Sequence, residues 1–116
     1  MSLDILFIHP NASEKIYQKL SKDHSAIEPP IWAGMLANHC RNKKYKVQIL
    51  DCEAKRLDLR QSAEEINNMS PKIACFVVYG QQPSASSQNM EGAVATCKIL
   101  KKINPKIKTL FVGGHV

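Results

Sequence analysis

Four short apolar segments alternate along this chain with three segments of helical periodicity. The apolar segments span residues 4–8, 46–50, 73–79 and 109–112. Nearly continuous apolar runs are typical of strands that helices cover on both faces of a parallel sheet. The second segment differs, because Lys46 and Gln48 alternate with Val47 and Ile49. We therefore expect the second strand at an edge of the sheet.

The helical segments carry apolar residues at spacings of three and four. The first begins near Pro29–Pro30, since proline suits the start of a helix, and ends before Tyr45. The second spans residues 59–69, where Pro71 stops it, and the third spans residues 87–103. In the first helix Trp32 and Met35 are predicted to be core residues, on a side shared with Ile31, Leu36 and Cys40. In the third helix the residues predicted to face the core are Met90, Val94, Cys97 and Leu100.

The alternation of strands and helices predicts βαβ units with right-handed crossovers. With the second strand at an edge, the parallel sheet takes the order 2-1-3-4. This is the α/β three-layer sandwich of flavodoxin-like or Rossmann-like folds, with the fifth strand missing from the chain. Residues 1–116 are thus predicted to be one domain, the truncated N-terminal domain of a longer protein. No segment approaches the roughly 18 apolar residues of a membrane span.

Charge and cysteine content narrow the function classes. The chain has a net charge of +6, with its lysines concentrated in residues 41–46 and 98–108, at predicted helix ends and the turns after them. Cations at these positions indicate a solvated surface that interacts favourably with the helix dipoles. Nucleic-acid binding is not favoured, because no aromatic residues are interleaved with the lysines. Without a Cys-x-x-Cys pair, the cysteines are predicted to be reduced core thiols of a cytoplasmic protein: Cys40, Cys52, Cys75 and Cys97.

Three loops are expected to meet at the carboxyl ends of the strands, the place where open α/β sheets bind ligands. They span residues 9–15, 80–87 and 113–115. The uncharged Gln, Pro, Ser and Ala residues of the second loop suit a ligand rich in amides or phosphates. Tyr79 and Gly80 occupy the position at which a receiver domain has its phosphorylated aspartate. The sequence therefore argues against phosphorylation of the receiver type.

Individual residues in these loops allow more than one reading. The glycine pair Gly113–Gly114 lets a backbone approach a bulky ligand, and a serine among residues 84–87 is expected to cap the third helix. His9 is either a metal ligand or acid–base group, or a histidine that shapes the end of the first strand. The second reading is favoured.

Taken in order, these motifs resemble the N-terminal cobalamin-binding domain of class B radical S-adenosylmethionine enzymes. The similarity is to the anaerobic magnesium-protoporphyrin IX monomethyl ester oxidative cyclase type. The matching segments are Leu6-Phe7-Ile8-His9-Pro10, Pro29-Pro30-Ile31-Trp32-Ala33-Gly34-Met35-Leu36-Ala37, Tyr45-Lys46-Val47-Gln48-Ile49-Leu50-Asp51 and Val112-Gly113-Gly114-His115. Two departures are Trp32 and Lys44, each at a position where glycine is common. Lys44 is therefore expected in a left-handed conformation.

The resemblance implies a non-catalytic module that binds cobalamin. Because no Asp-x-His-x-x-Gly motif follows the first strand, the cofactor is expected base-off, without a histidine ligand from the protein. The partner implied is a radical S-adenosylmethionine barrel later in the same chain, which would hold a [4Fe-4S] cluster and S-adenosylmethionine. Neither nucleic acid nor a membrane is an expected partner, and tetrapyrrole cyclisation, methyl transfer and lipid modification all stay open as reactions.

The resemblance also implies the cofactor contacts. The expected cobalamin-binding residues are Pro10, Asn11, Tyr79, Gly80, Gln81, Gln82, Pro83, Ser84, Gly113, Gly114 and His115. Lys15 is the nearest expected phosphate contact, and no metal ligand is expected from the protein. Two alternatives remain: a Rossmann-like docking or structural domain that has lost its ligand, and a small enzyme or nucleotide binder that uses His9 and Ser84.

Overall fold

The computed structural model describes residues 3–11, 31–78 and 83–113, with residues 83–89 described for their backbone alone. The elements in this part of the chain are β1 (Leu3–His9), α1 (Ile31–Asn42), β2 (Val47–Asp51), α2 (Leu59–Met69), β3 (Pro71–Val78), α3 (Pro83–Ile103) and β4 (Lys108–Gly113). All strand pairs are parallel, in the order β2-β1-β3-β4. The predicted fold class, strand order and edge position of the second strand are confirmed.

Helices cover both faces of the sheet. On one face, α2 and α3 pack over a core that includes Leu6 and Phe76, and the Phe76 and Phe111 rings stack with centroids 5.1 Å apart. On the other face, α1 packs over Phe7 and Cys75. Alternate residues of β1 and β3 therefore enter opposite cores, which explains why their sequences are continuously apolar.

The bounds of α2 follow from its capping residues. Asp58 accepts a hydrogen bond from the backbone N–H of Gln61 at 2.7 Å, and the Gln61 side chain accepts one from the Asp58 N–H at 3.0 Å. This capping box satisfies two N–H groups that a helix start leaves without partners. The helix ends at Ser70, which is left-handed with φ 49°, and Pro71 begins β3. Lys44 also adopts the predicted left-handed conformation, with φ 72°.

Three expectations about the helix faces are wrong. Trp32 and Met35 are 49% and 60% exposed, while the small residues Ala33 and Ala37 bring α1 close to the sheet. In α3, Val94 is 36% exposed. The buried positions near it belong to Ala93 and Thr96. In both helices the size of the apolar side chains misled the assignment, because the closest helix–sheet contacts favour small residues.

The start of α3 is the other correction. The helix begins at Pro83, four residues before the predicted start at Ser87. Proline is favoured in the first helical turn, where its missing N–H costs nothing. Residues 84–87 consequently lie inside the first turns of the helix, so the expectation that one of their serines caps it is wrong.

None of the described helices is long and apolar enough to cross a membrane. The four cysteines are free thiols, as predicted, with Cys52 and Cys75 buried and Cys40 and Cys97 partly buried. Burial raises the pKa of both Cys52 and Cys75 to about 11.

We expect the thiols to divide into two classes in a labelling experiment at pH 8. In the folded chain iodoacetamide should modify Cys40 and Cys97 first, because Cys52 and Cys75 are buried and protonated. Peptide mass spectrometry at successive times gives the four rates. In urea all four should react alike, and rapid labelling of Cys52 in the folded chain would contradict the packing described above.

Candidate functional site

The topology creates a crevice between the two central strands. From the end of β1 the chain passes to α1 on one face of the sheet, and from the end of β3 it passes to α3 on the other face. The carboxyl ends of β1 and β3 lie side by side, in register from Leu3–Pro71 to Ile8–Phe76. Where neighbouring strands send their connections to opposite faces, the sheet edge between them is open to a ligand.

His9, the last residue of β1, is tied to the turn that follows β2. Its Nε2 donates to Glu53 Oε2 at 3.2 Å, and both side chains are about 6% exposed. The His9 carbonyl also accepts from the Cys52 N–H at 3.0 Å. These contacts connect the end of β1 to the turn after β2, which supports the reading of His9 as a residue that shapes the strand end.

The turn after β2 has a compact hydrogen-bonded form. The Arg56 N–H donates to the Glu53 carbonyl and the Leu57 N–H to the Cys52 carbonyl, both at 3.0 Å, with Arg56 left-handed at φ 54°. Asp51 Oδ1 accepts from the Ala54 N–H at 3.0 Å. These hydrogen bonds fix the backbone of the turn and so keep Glu53 within reach of His9.

Two residues after His9 continue the contact with this turn. Pro10 is fully buried, and Asn11 donates from Nδ2 to the Leu57 carbonyl at 2.7 Å. The Asn11 Oδ1 accepts no hydrogen bond within the described part of the chain. This oxygen is thus an acceptor at the carboxyl edge of the sheet. The hydrogen bond from Nδ2 to Leu57 fixes the orientation of the Asn11 side chain.

Gly113 ends β4 against the last residue of β3. It has φ +150°, and a Cβ at this position would lie 2.1 Å from the Val78 carbonyl oxygen. The two residues are register partners. Only glycine fits this approach, so the edge of the site at β4 is bare backbone.

The structure brings Pro10, Asn11, Gly113 and the start of α3 at Pro83 to the same edge of the sheet. Ser84 follows in the first turn of α3. The remaining predicted contacts lie outside the described residues: Tyr79, Gly80, Gln81, Gln82, Gly114, His115 and Lys15. Glu53 and Leu57 were missed, because a turn residue that binds through its carbonyl or pairs across the sheet leaves no periodic signal in a sequence.

The described edge offers polar contacts without a metal centre. No group of three or more His, Cys, Asp or Glu residues in the described segments is placed to hold a metal ion. Both acidic side chains next to the end of β1 have partners: Glu53 pairs with His9, and Asp51 accepts from the Ala54 N–H. What the arrangement can do is hold a neutral, hydrogen-bonding ligand against backbone and an amide side chain.

Comparison with known proteins gives one match. A family model described as the B12 binding domain matches residues 24–116, which include every described element except β1. Neither the curated proteins nor the solved structures yield a match to the chain.

Gly113, which lies against Val78, and Gly34, which has free space around its Cα, allow a matched test of the β3–β4 contact. We expect Gly113→Ala to destabilise the fold by about 2 to 4 kcal/mol, because the added methyl group meets the Val78 carbonyl. Gly34→Ala in α1, where a Cβ meets nothing within 4 Å, should instead stabilise it by about 0.5 to 1 kcal/mol. Urea unfolding followed by circular dichroism measures both. Equal stabilities for the two variants would refute the close approach.

Proposed function

Because this chain belongs to the B12-binding domain family, we propose that it holds cobalamin across the carboxyl edge of the sheet, between β1 and β3. The single observation that carries the location is the departure of α1 and α3 to opposite faces from these two strands. It makes this edge the open one in the described fold.

The residues at the edge fit the chemistry of the cofactor. The corrin ring carries a rim of neutral amide groups, which need acceptors and donors but no charge. Asn11 Oδ1 is an acceptor of this kind, and Gly113 offers backbone without a side chain. The other contacts proposed are those of residues 79–84, Gly114 and His115, whose uncharged Gln, Ser and backbone groups suit the same rim.

We further infer that no histidine of the protein coordinates the cobalt. No Asp-x-His-x-x-Gly motif follows β1, and the side chain of His9, the histidine at the end of that strand, is buried and hydrogen-bonded to Glu53 in the turn after β2. That supports base-off binding of cobalamin without a histidine ligand from the protein. The role of His9 is then to fix the end of β1 against the turn after β2, and so to position Asn11.

Bound cobalamin supplies a cobalt centre that carries organic groups and changes its oxidation state. The chain itself binds and orients the cofactor, and the buried Pro10 and Val78 exclude water beneath it. No residue of the described part is assigned an acid–base or nucleophilic role.

The proposed partner is a radical S-adenosylmethionine barrel in the same protein, of the magnesium-protoporphyrin cyclase type or a related methyltransferase. The segment Pro29–Ala37 and the glycine pair after β4 support this, through their similarity to that group. Sequencing the coding region after Val116 tests it. A Cys-x-x-x-Cys-x-x-Cys motif is expected there, and a different downstream domain would rule out the radical enzyme while leaving cobalamin binding intact.

Cofactor binding is tested with hydroxocobalamin and the purified chain. We expect co-elution on size exclusion at micromolar concentrations and a changed visible spectrum. Replacing Gln81 and Gln82, two of the proposed cofactor contacts, by phenylalanine should weaken retention at least about tenfold, since bulky side chains at a cofactor contact would exclude the corrin. The control Gln48→Phe, at an exposed position near the start of β2 and away from the carboxyl edge, should bind normally.

A folded chain that retains no hydroxocobalamin would refute the proposal. It would indicate the alternative, a docking or structural domain that kept the fold and lost the ligand. Circular dichroism of the same samples separates this outcome from simple unfolding.

The absence of a histidine ligand makes a separate prediction. Each of the variants His9→Gln, His24→Gln, His39→Gln and His115→Gln should give the same visible spectrum of bound hydroxocobalamin as the parent chain, and the same electron paramagnetic resonance spectrum after reduction to the Co(II) form. Nitrogen coordination from a protein imidazole would be lost in one variant and would change its spectrum. Such a change would identify the ligand and overturn base-off binding without histidine.

A further inference from the structure

Positive charge is concentrated at the edge of the sheet opposite the proposed cofactor site. We call it the amino edge: the first two residues of each strand, the last turn of each helix and the turns between them. One cationic group follows the end of α1 and comprises Arg41, Lys43, Lys44 and Lys46. A second lies at the end of α3 and the start of β4 and comprises Lys101, Lys102, Lys106 and Lys108.

An ion pair lies between the two groups. Lys72 Nζ is 3.4 Å from Asp4 Oδ1, and the Lys46 N–H donates to Asp4 Oδ2 at 2.8 Å. The Lys46 N–H, and then Lys72, lower the pKa of Asp4, so this carboxylate stays ionised. It is the one carboxylate at the amino edge within the described residues.

Neither of the simple explanations accounts for this distribution. Favourable interaction with helix dipoles applies to Arg41, Lys43, Lys44, Lys101 and Lys102, which lie in or directly after the last helical turns. It does not apply to Lys46, Lys72, Lys106 and Lys108. Solubility requires charge anywhere on the surface. Yet the rest of the described chain has four cations and six carboxylates, against nine cations and one carboxylate at the amino edge.

We propose that the amino edge is a docking surface for an acidic polypeptide surface of a partner protein. Most of its cations are exposed and available. Lys43, Lys44, Lys102, Lys106 and Lys108 are exposed and form no ion pair within the described part of the chain. Carboxylates of a partner are the complementary groups.

The pattern of charge favours a protein over a nucleic acid or a membrane. The two cationic groups flank β2 and β4, about 14 Å apart at the usual strand spacing, with Asp4 between them. Carboxylates on separate side chains can leave a gap opposite Asp4, whereas a phosphodiester chain or an anionic bilayer presents continuous negative charge. Tyr45 is the one exposed aromatic residue of the edge in the described segments, too few for stacking on bases.

The composition of the edge also defines the kind of complex. Eight of its nine cations are lysines, which are depleted from the cores of tight interfaces. Exposed lysines speed association and make it dependent on salt, with small gains in affinity. The surface therefore fits a partner that binds transiently.

Two variants with the same net charge test this surface. The edge variant carries Lys43→Gln, Lys106→Gln and Lys108→Gln; the control variant carries Lys55→Gln, Arg60→Gln and Lys98→Gln, also at exposed positions. Each is titrated with fluorescent poly-L-glutamate at several NaCl concentrations. We expect the edge variant to lose about tenfold in affinity and the control less than about twofold, with a shallower salt dependence in the edge variant alone.

Equal losses in both variants would show that net charge, not the amino edge, determines binding, and would overturn the proposal. It would also be overturned if poly-uridylate or phosphatidylserine vesicles bound the parent chain more tightly than poly-L-glutamate at equal anion charge and the edge variant abolished that binding. Hydroxocobalamin retention, measured on the same variants, should be unchanged. Its loss would concern the cofactor site and not this surface.

Discussion

β1 and β3 are neighbours in the sheet, yet the chain continues from them to helices on opposite faces. β1 and β3 share a register and are buried on both faces, so their ends cannot shift without moving both cores. The helices that follow them must diverge, because α1 has its core with Phe7 and α3 with Phe76. The crevice between the strand ends is thus a result of core packing and does not require the ligand to form it.

The walls of that crevice are fixed by contacts that differ in kind. On the β2 side, the buried His9–Glu53 pair connects a strand end to a turn. Burying two such groups carries a desolvation penalty, so the pair is better understood as a positioning contact than as a source of stability. On the β4 side, Gly113 packs directly against the end of β3. It can do so because it has no side chain, and the Val78 carbonyl occupies the space that a Cβ would need. One wall is polar and the other is backbone.

The sequence predicts those parts of the fold that leave a local pattern along the chain, such as an apolar run, an alternation or a proline. Continuous apolar runs predict β1 and β3, the mixed pattern of Lys46 to Ile49 predicts an edge strand, and Pro71 marks the end of α2. The orientation of α1 was not predictable in this way. Ala33 and Ala37 face the sheet while Trp32 and Met35 are exposed, and a hydrophobicity pattern ranks these residues in the reverse order. The pairing of His9 with Glu53 also escaped prediction, because it joins residues 44 positions apart through strand register.

A parallel sheet has two chemically different edges, and this chain uses the difference. The carboxyl edge carries the Asn11 amide, the buried Pro10 and the bare backbone of Gly113, with His9 and Glu53 paired to each other. The amino edge carries most of the described positive charge. The seven residues of β1 separate the two edges by about 20 Å, more than two Debye lengths at physiological salt. An acidic partner at one edge therefore neither covers the other edge nor substantially changes its potential, and the two binding events are expected to be independent.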